Sequence, residues 1–321
     1  MKKVLIMLEF FKNRLVWAIP IFMILGLLYG LVFDPKDLKL FIVPLTFLMV
    51  YPMMVTLNVK QLFSAVKDTK LQALTLIINF AIIPFIAFGM GRIFFSDKPM
   101  LALGLLLAAL LPTSGMTISW TGFAKGNLNA AIKMTVVGLL VGSLATPIYI
   151  KALMGTAISI PIFNIFKQIM FIVFLPMLAG FITQKFLIKK FGDQKYQEKI
   201  KPKFPLLSTL GVLGIVFVAM ALKARTIIEN PMFLLSLLLP LILFYGINFV
   251  FSTVIGKIFL VREDAIALLY GTVMRNLSIA LAIAMLAFGK QGSTIALIIA
   301  LAYIIQVQSA AWYVKFTHKI F

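Results

Sequence analysis

Cysteine is absent from the 321 residues, and histidine occurs once, at position 318. Without thiols the chain has no disulfide framework, no thiolate metal site and no cysteine nucleophile, and its redox compartment cannot be read from the sequence. His318, three residues from the C-terminus, reads as a solvated tail residue rather than a ligand or base. Carboxylates are scarce as well: ten Asp and Glu in all, each between the long apolar runs or at their ends. A hydrolase working in lipid needs a nucleophile and a base inside those runs. They hold no His, Asp, Glu or Cys, so the reading is not an enzyme, with no catalytic residues, no metal site and no cofactor.

Charge of either sign is thin, at 12% of residues against 62% hydrophobic, where ordinary soluble domains are about half apolar and a quarter charged. Lipid is therefore the solvent for most of this chain. A crossing takes roughly 20 apolar residues, so there is room for about ten and none for a sizeable soluble domain. The net charge of +20 forms no basic stripe with interleaved aromatics, which argues against nucleic acid as a partner. It serves topology instead. Residues 1–14, beginning Met-Lys-Lys and carrying Glu9, Lys12 and Arg14, read as an amphipathic interfacial helix rather than a cleaved leader.

Turn and charge punctuation places spans near 15–33, 39–57, 71–95, 100–124, 128–150, 165–188, 205–222, 232–261, 265–288 and 295–314. With the N-terminus in the cytoplasm, 19 Lys and Arg fall on inside segments and 9 on outside ones. The positive-inside rule then places both termini in the cytoplasm of a multi-pass protein in the cell's inner membrane. The polar stretch 189–204 divides the spans five and five, which forces the halves into opposite orientations. An ungapped shift of 165 residues aligns GRIFFSDKPMLAL (91–103) with GKIFLVREDAIAL (256–268) at the same joint in each half. The expected fold is an all-α integral membrane protein of ten transmembrane helices built as two inverted five-helix repeats. The first occupies 1–153 (1–188 with span 6) and the second 154–321.

Two spans are interrupted near their centres. In the fourth, Pro112-Thr113-Ser114-Gly115 breaks an apolar run; proline ends the helix and the small polar residues cap its restart. In the ninth, the polar group Thr272 to Ser278 includes Arg275 and Asn276. The shift of 165 sets Thr113 opposite Ser278. Two helix starts meeting at mid-depth aim unpaired N–H groups at one place and suit an anion. Arg275 has no carboxylate at its depth, and an intramembrane charge usually faces a cavity or a partner; it either attracts an anion or hydrogen-bonds carbonyls at the break. The candidate substrate residues are Thr113, Ser114, Gly115, Arg275, Asn276 and Ser278. Thr117, Lys133, Thr135 and Gln306 are candidates for an ion site or a supporting role, with Lys133 alternatively snorkelling to the near end of its span. Asn79, Thr135, Asn248, Gln306 and Gln308 either line a cavity or make interhelical hydrogen bonds.

LLPTSGMTISWTGFAKGN (110–127) and RNLSIALAIAMLAFG (275–289) resemble the bile acid:sodium symporter superfamily, and within it the arsenite permease branch. The resemblance implies broken helices 4 and 9 crossing at the substrate site. It also implies a panel domain of spans 1, 2, 6 and 7 and a core domain of spans 3–5 and 8–10. Arsenite permeases are similar but carry Pro-Cys-Thr where this chain has Pro112, Thr113 and Ser114, and Asn-Asn-x-Glu where it has Arg275 to Ser278. The bile-acid branch carries a glutamate at the position of Gly271 and Ser-Asn at Thr117 and Ile118. In this chain only Thr117, Thr135 and Asn276 remain as oxygen ligands for such an ion, so sodium is a doubtful coupling ion. The expectation is a secondary transporter moving a small organic anion by alternating access, with weak or no sodium dependence. A sodium-coupled bile-acid-type symporter and an arsenite or antimonite permease are the alternatives, and a channel or membrane sensor is the outside class. Substrate identity, direction and oligomeric state are not legible.

Overall fold

The computed structural model describes residues 15–57, 69–155, 162–229 and 232–321; the interfacial helix expected over 1–14 lies outside them. Among the described residues every regular element is helical. Seven helices are long and apolar enough to cross a membrane, and Trp17–Val32, Pro99–Leu110 and Leu277–Ala287 are shorter apolar helices. The protein is an all-α, multi-pass membrane protein.

The chain forms two compact units, residues 1–57, 163–231 and 281–297 in one, and residues 58–162, 232–280 and 298–321 in the other. The first contains α1 (Leu15–Val32) and α2 (Ile42–Val55). Chain-wise next come α3 (Thr69–Leu76), α4 (Ile83–Phe94), α5 (Pro99–Leu110), α6 (Gly115–Phe123) and α7 (Leu128–Met154), all of the second unit. The first unit resumes with α8 (Ile162–Ile169), α9 (Leu175–Phe191) and α10 (Phe204–Glu229). The second resumes with α11 (Met232–Phe259) and α12 (Arg262–Val273). The last helices, α13 (Leu277–Ala287) and α14 (Gly292–Ile320), contribute to both.

Lipid supplies no hydrophobic drive between helices, so small residues must let backbones touch. In the first unit α1 does this with Gly26 and Gly30. A Cβ on either would lie 2.4 Å from the Phe217 carbonyl oxygen or 2.2 Å from that of Ala221, both on α10. Gly211 of α10 makes a like approach to Met49 of α2, 2.4 Å from its nitrogen. The polar stretch expected over 189–204 turns at Gly192, whose φ of 80° is open to glycine, and then continues as short helical turns to Lys203.

In the second unit the joints between α4 and α5 and between α11 and α12 are packed alike. A Cβ on Gly91 would meet the Ala102 Cβ at 3.1 Å, and one on Gly256 the Ala265 Cβ at 3.1 Å. The partners are eleven residues apart in the first joint and nine in the second. An ungapped shift of 165 residues therefore falls out of register by two beyond the joint. The expected fourth and ninth spans are each two helices, α5 with α6 and α12 with α13. At 1.5 Å per residue none of these four exceeds about 18 Å, well short of a bilayer core of roughly 30 Å.

Candidate functional site

A helix that stops at mid-depth leaves carbonyls unpaired at one side of the break and N–H groups at the other, and lipid satisfies neither. Here the two breaks satisfy each other. Pro112 and Arg275 form an isolated antiparallel β-bridge. The Thr113 N–H donates to the Met274 carbonyl at 2.8 Å, and the Asn276 N–H to the Leu111 carbonyl at 2.7 Å. Thr113 faces Met274 and Asn276 faces Leu111, so Thr113 and Asn276 play matching parts, each donating across the bridge, and Ser278 lies two residues beyond Asn276 in α13.

Side chains complete the accounting. At the start of α6 the Met116 N–H donates to Ser114 Oγ at 3.2 Å and the Ser114 N–H to Thr117 Oγ1 at 3.1 Å, a reciprocal cap. At the start of α13 the Ile279 N–H donates to Asn276 Oδ1 at 3.3 Å. The last carbonyls of α12 are met by two asparagines from flanking helical segments. Asn79 Nδ2 donates to Gly271 O at 3.0 Å, and Asn248 Nδ2 to Thr272 O at 3.1 Å. Arg275 Nη1 donates to Ala109 O at the end of α5, 3.2 Å away, placing a cation where the helix dipole is negative. Gln306 of α14 holds the Arg275 main chain from both sides. Its Oε1 accepts the Arg275 N–H at 2.7 Å and its Nε2 donates to the Arg275 carbonyl at 3.2 Å. Of the residues that sequence left between cavity lining and hydrogen bonding, Asn79, Asn248 and Gln306 are hydrogen-bonded to the breaks.

The first break rests on α7. A Cβ on Gly138 would lie 2.5 Å from Thr113 Oγ1, and one on Gly142 2.9 Å from Pro112 Cδ and 3.1 Å from Leu110 O. Thr113 has φ 62°, which a β-branched residue adopts only under constraint; the bridge to Met274 and the α7 glycines supply it.

Arg275 is 1% exposed. Its Nε and Nη2 have no hydrogen-bond partner among the described residues, and neither has Asn276 Nδ2. No carboxylate among the described residues pairs with it; Lys36 and Asp34, at the far end of another segment, form the ion pair seen there. The guanidinium thus sits at the C-terminal end of α5 with two of its nitrogens unpaired among the described residues. Among the described residues no three His, Cys, Asp or Glu side chains gather to hold a metal ion.

The other sequence candidates fall as follows. The Thr113 hydroxyl is fully buried and donates to Pro112 O at 2.6 Å. The Ser278 hydroxyl is hydrogen-bonded to that of Tyr303 on α14. Thr135 Oγ1 donates to Ala131 O at 2.8 Å within α7. Gly115, the first residue of α6, is exposed, and a Cβ there would meet nothing within 4 Å. Lys133 is half-buried on α7, five residues before Gly138. Sequence reasoning missed Tyr303, Tyr245, whose hydroxyl donates to Gln306 Oε1 at 3.1 Å, and the glycine seat. Gly138 and Gly142, four apart in one span, were a legible sign of a close approach.

A profile of the Sodium Bile acid symporter family matches residues 43–230. Among curated proteins, an arsenical-resistance protein Acr3 of Alkaliphilus metalliredigens is 24% identical over 61% of this chain and 58% of its own length. An uncharacterized transporter of Synechocystis is 24% identical over 79% of this chain and 72% of its own. An uncharacterized sodium-dependent transporter of Bacillus subtilis is 25% identical over 65% and 63%. The chain thus spans less than two thirds of the Acr3 and Bacillus proteins.

Proposed function

Because the chain belongs to the Sodium Bile acid symporter family, we propose that it is a secondary transporter carrying a small organic anion through the cell's inner membrane, with weak or no dependence on sodium. In this reading ten spans form two inverted five-helix repeats with both termini cytoplasmic. A core of spans 3–5 and 8–10 moves against a panel of spans 1, 2, 6 and 7 in alternating access. The substrate approaches the crossing of the two breaks, where Ser114, Gly115, Arg275, Asn276, Thr113 and Ser278 stand.

The observation that carries the reading is the Arg275 guanidinium, buried without a carboxylate and with Nε and Nη2 unpaired. A fixed cation there favours an anionic substrate and disfavours a bound sodium ion through like charge. Four carbonyls at the breaks, of Gly271, Thr272, Ala109 and Arg275, already accept from Asn79, Asn248, Arg275 and Gln306. Arginine stays protonated at workable pH, which makes it a poor proton carrier, so facilitated diffusion or anion exchange follows.

The test is uptake of organic anions into proteoliposomes, chosen from a thermal-shift screen, with sodium replaced by potassium. Equal rates in the two buffers are expected, and Arg275→Gln should lower anion affinity about tenfold or more, the worth of a charge-assisted hydrogen bond. A strong sodium requirement that persists in Arg275→Gln would overturn the reading. The Acr3 relative favours a second one, arsenite or antimonite permeation. A chain with no cysteine would have to carry that substrate on hydroxyls, and arsenite uptake in the same vesicles separates the two.

A further inference from the structure

The stretch following α9 carries seven lysines between 185 and 203 against two carboxylates, Asp193 and Glu198. It is built as a ledge rather than a free loop. Gly192 turns the chain, and Tyr196, fully buried, donates its hydroxyl to the Val55 carbonyl at 2.8 Å at the end of α2. Gln184 of α9 donates to the Tyr196 hydroxyl at 3.2 Å and to the same Val55 carbonyl at 3.0 Å. One buried aromatic therefore fixes the basic segment against the ends of two membrane helices.

The segment's surface is cationic. Lys185, Lys189, Lys190, Lys195, Lys199 and Lys203 are exposed. The two carboxylates accept from glutamines instead, Glu198 from Gln194 and Asp193 from Gln197, and among the described residues none of these lysines forms an ion pair. Beside these lysines stand phenylalanines of α9. Lys185 lies 4.5 Å from the Phe181 ring centroid, Lys190 5.4 Å from Phe191 and Lys195 5.3 Å from Phe191, and Phe186 is 59% exposed. Ammonium groups standing over exposed phenyl rings, next to a helix long enough to cross the membrane, match the boundary where phosphates meet acyl chains.

We propose that residues 185–203 form a binding surface for the phosphates of anionic phospholipids, and that lipid held there stabilises the first unit through the Tyr196 anchor. A soluble polyanion would have no use for the phenylalanines. Each lysine near an anionic lipid surface contributes roughly a fivefold factor in binding, so four together are expected to matter by about six-hundredfold.

The test uses the purified full chain in neutral detergent. Its melting temperature and retained lipid, the latter by native mass spectrometry, are followed on titration with phosphatidylglycerol, phosphatidylcholine or inorganic phosphate. Phosphatidylglycerol alone is expected to bind and raise the melting temperature. K189Q/K190Q/K195Q/K199Q should weaken that binding about six-hundredfold, while K36Q/K39Q at another segment should leave it unchanged. The double variant K189Q/K190Q, a milder change, should show an intermediate loss of about twentyfold. Equal stabilisation by phosphatidylcholine, an equal response to inorganic phosphate, or wild-type phosphatidylglycerol binding in the lysine variants would overturn the proposal.

Discussion

The side-chain amide of Gln306 is hydrogen-bonded to both the N–H and the carbonyl of Arg275, so a neutral residue on α14 sets the position of the charge at the helix crossing. Glutamine suits the task because its amide is donor and acceptor at once. The Tyr245 hydroxyl, donating to the same Oε1, fixes which way round the amide sits.

Replacing Gln306 by leucine strands two buried main-chain groups, each worth about 1–3 kcal/mol when left unpaired. The melting temperature in detergent should fall by several degrees. Gln306→Glu keeps the acceptor, loses the donor and brings a carboxylate toward the guanidinium. Anion affinity should then drop more than stability does, and a binding titration beside the melting curve checks the split.

The seat beneath the first break makes a second expectation. Gly142→Ala puts a methyl 2.9 Å from Pro112 Cδ and 3.1 Å from Leu110 O, and Gly138→Ala one 2.5 Å from Thr113 Oγ1. Overpacking of this kind costs about 1–3 kcal/mol, and it acts on the break itself. Uptake should be impaired in both variants at unchanged expression, whereas Gly246→Ala, where a Cβ meets nothing within 4 Å, should behave as wild type.

Lys125, two residues past the end of α6, has φ 59°, a conformation glycine holds without strain. Lys125→Gly is expected to raise stability by roughly 0.5–1 kcal/mol, seen as a higher melting temperature at equal uptake. A lower melting temperature would mean the lysine side chain contributes more than its backbone conformation costs.

A cysteine-free chain lends itself to topology mapping. Lys195→Cys in sealed, correctly oriented cells should stay unlabelled by an impermeant thiol reagent, and Lys36→Cys should be labelled. The reverse pattern would invert the assignment drawn from the lysine and arginine bias.

The breaks at Pro112 and around Arg275 were legible because proline and a polar cluster stand out in apolar runs. Membrane character followed from composition alone. The register between the breaks was not: the ungapped shift set Thr113 opposite Ser278, whereas in the Pro112–Arg275 bridge the residue that plays the part of Thr113, donating its N–H across the break, is Asn276. Two residues lost at the Gly256–Ala265 joint leave no trace in a short alignment. The hydroxyl roles were equally hidden. Thr113 and Thr135 read as ligands by type, yet both donate to neighbouring carbonyls, and only coordinates tell a hydroxyl that repairs a helix from one left over. The asparagine caps were seen as residues but not as partners, because the carbonyls they meet lie 24 and 192 positions away in the chain.

At Gly115 the first turn of α6 carries no side chain, and the space where one would begin is clear for 4 Å. The position is therefore a natural gauge. Enlarging the residue there from alanine through valine to leucine advances a ruler beside the Ser114 cap, starting from a first carbon that meets nothing. The step at which uptake ceases would read out the girth of whatever the protein carries.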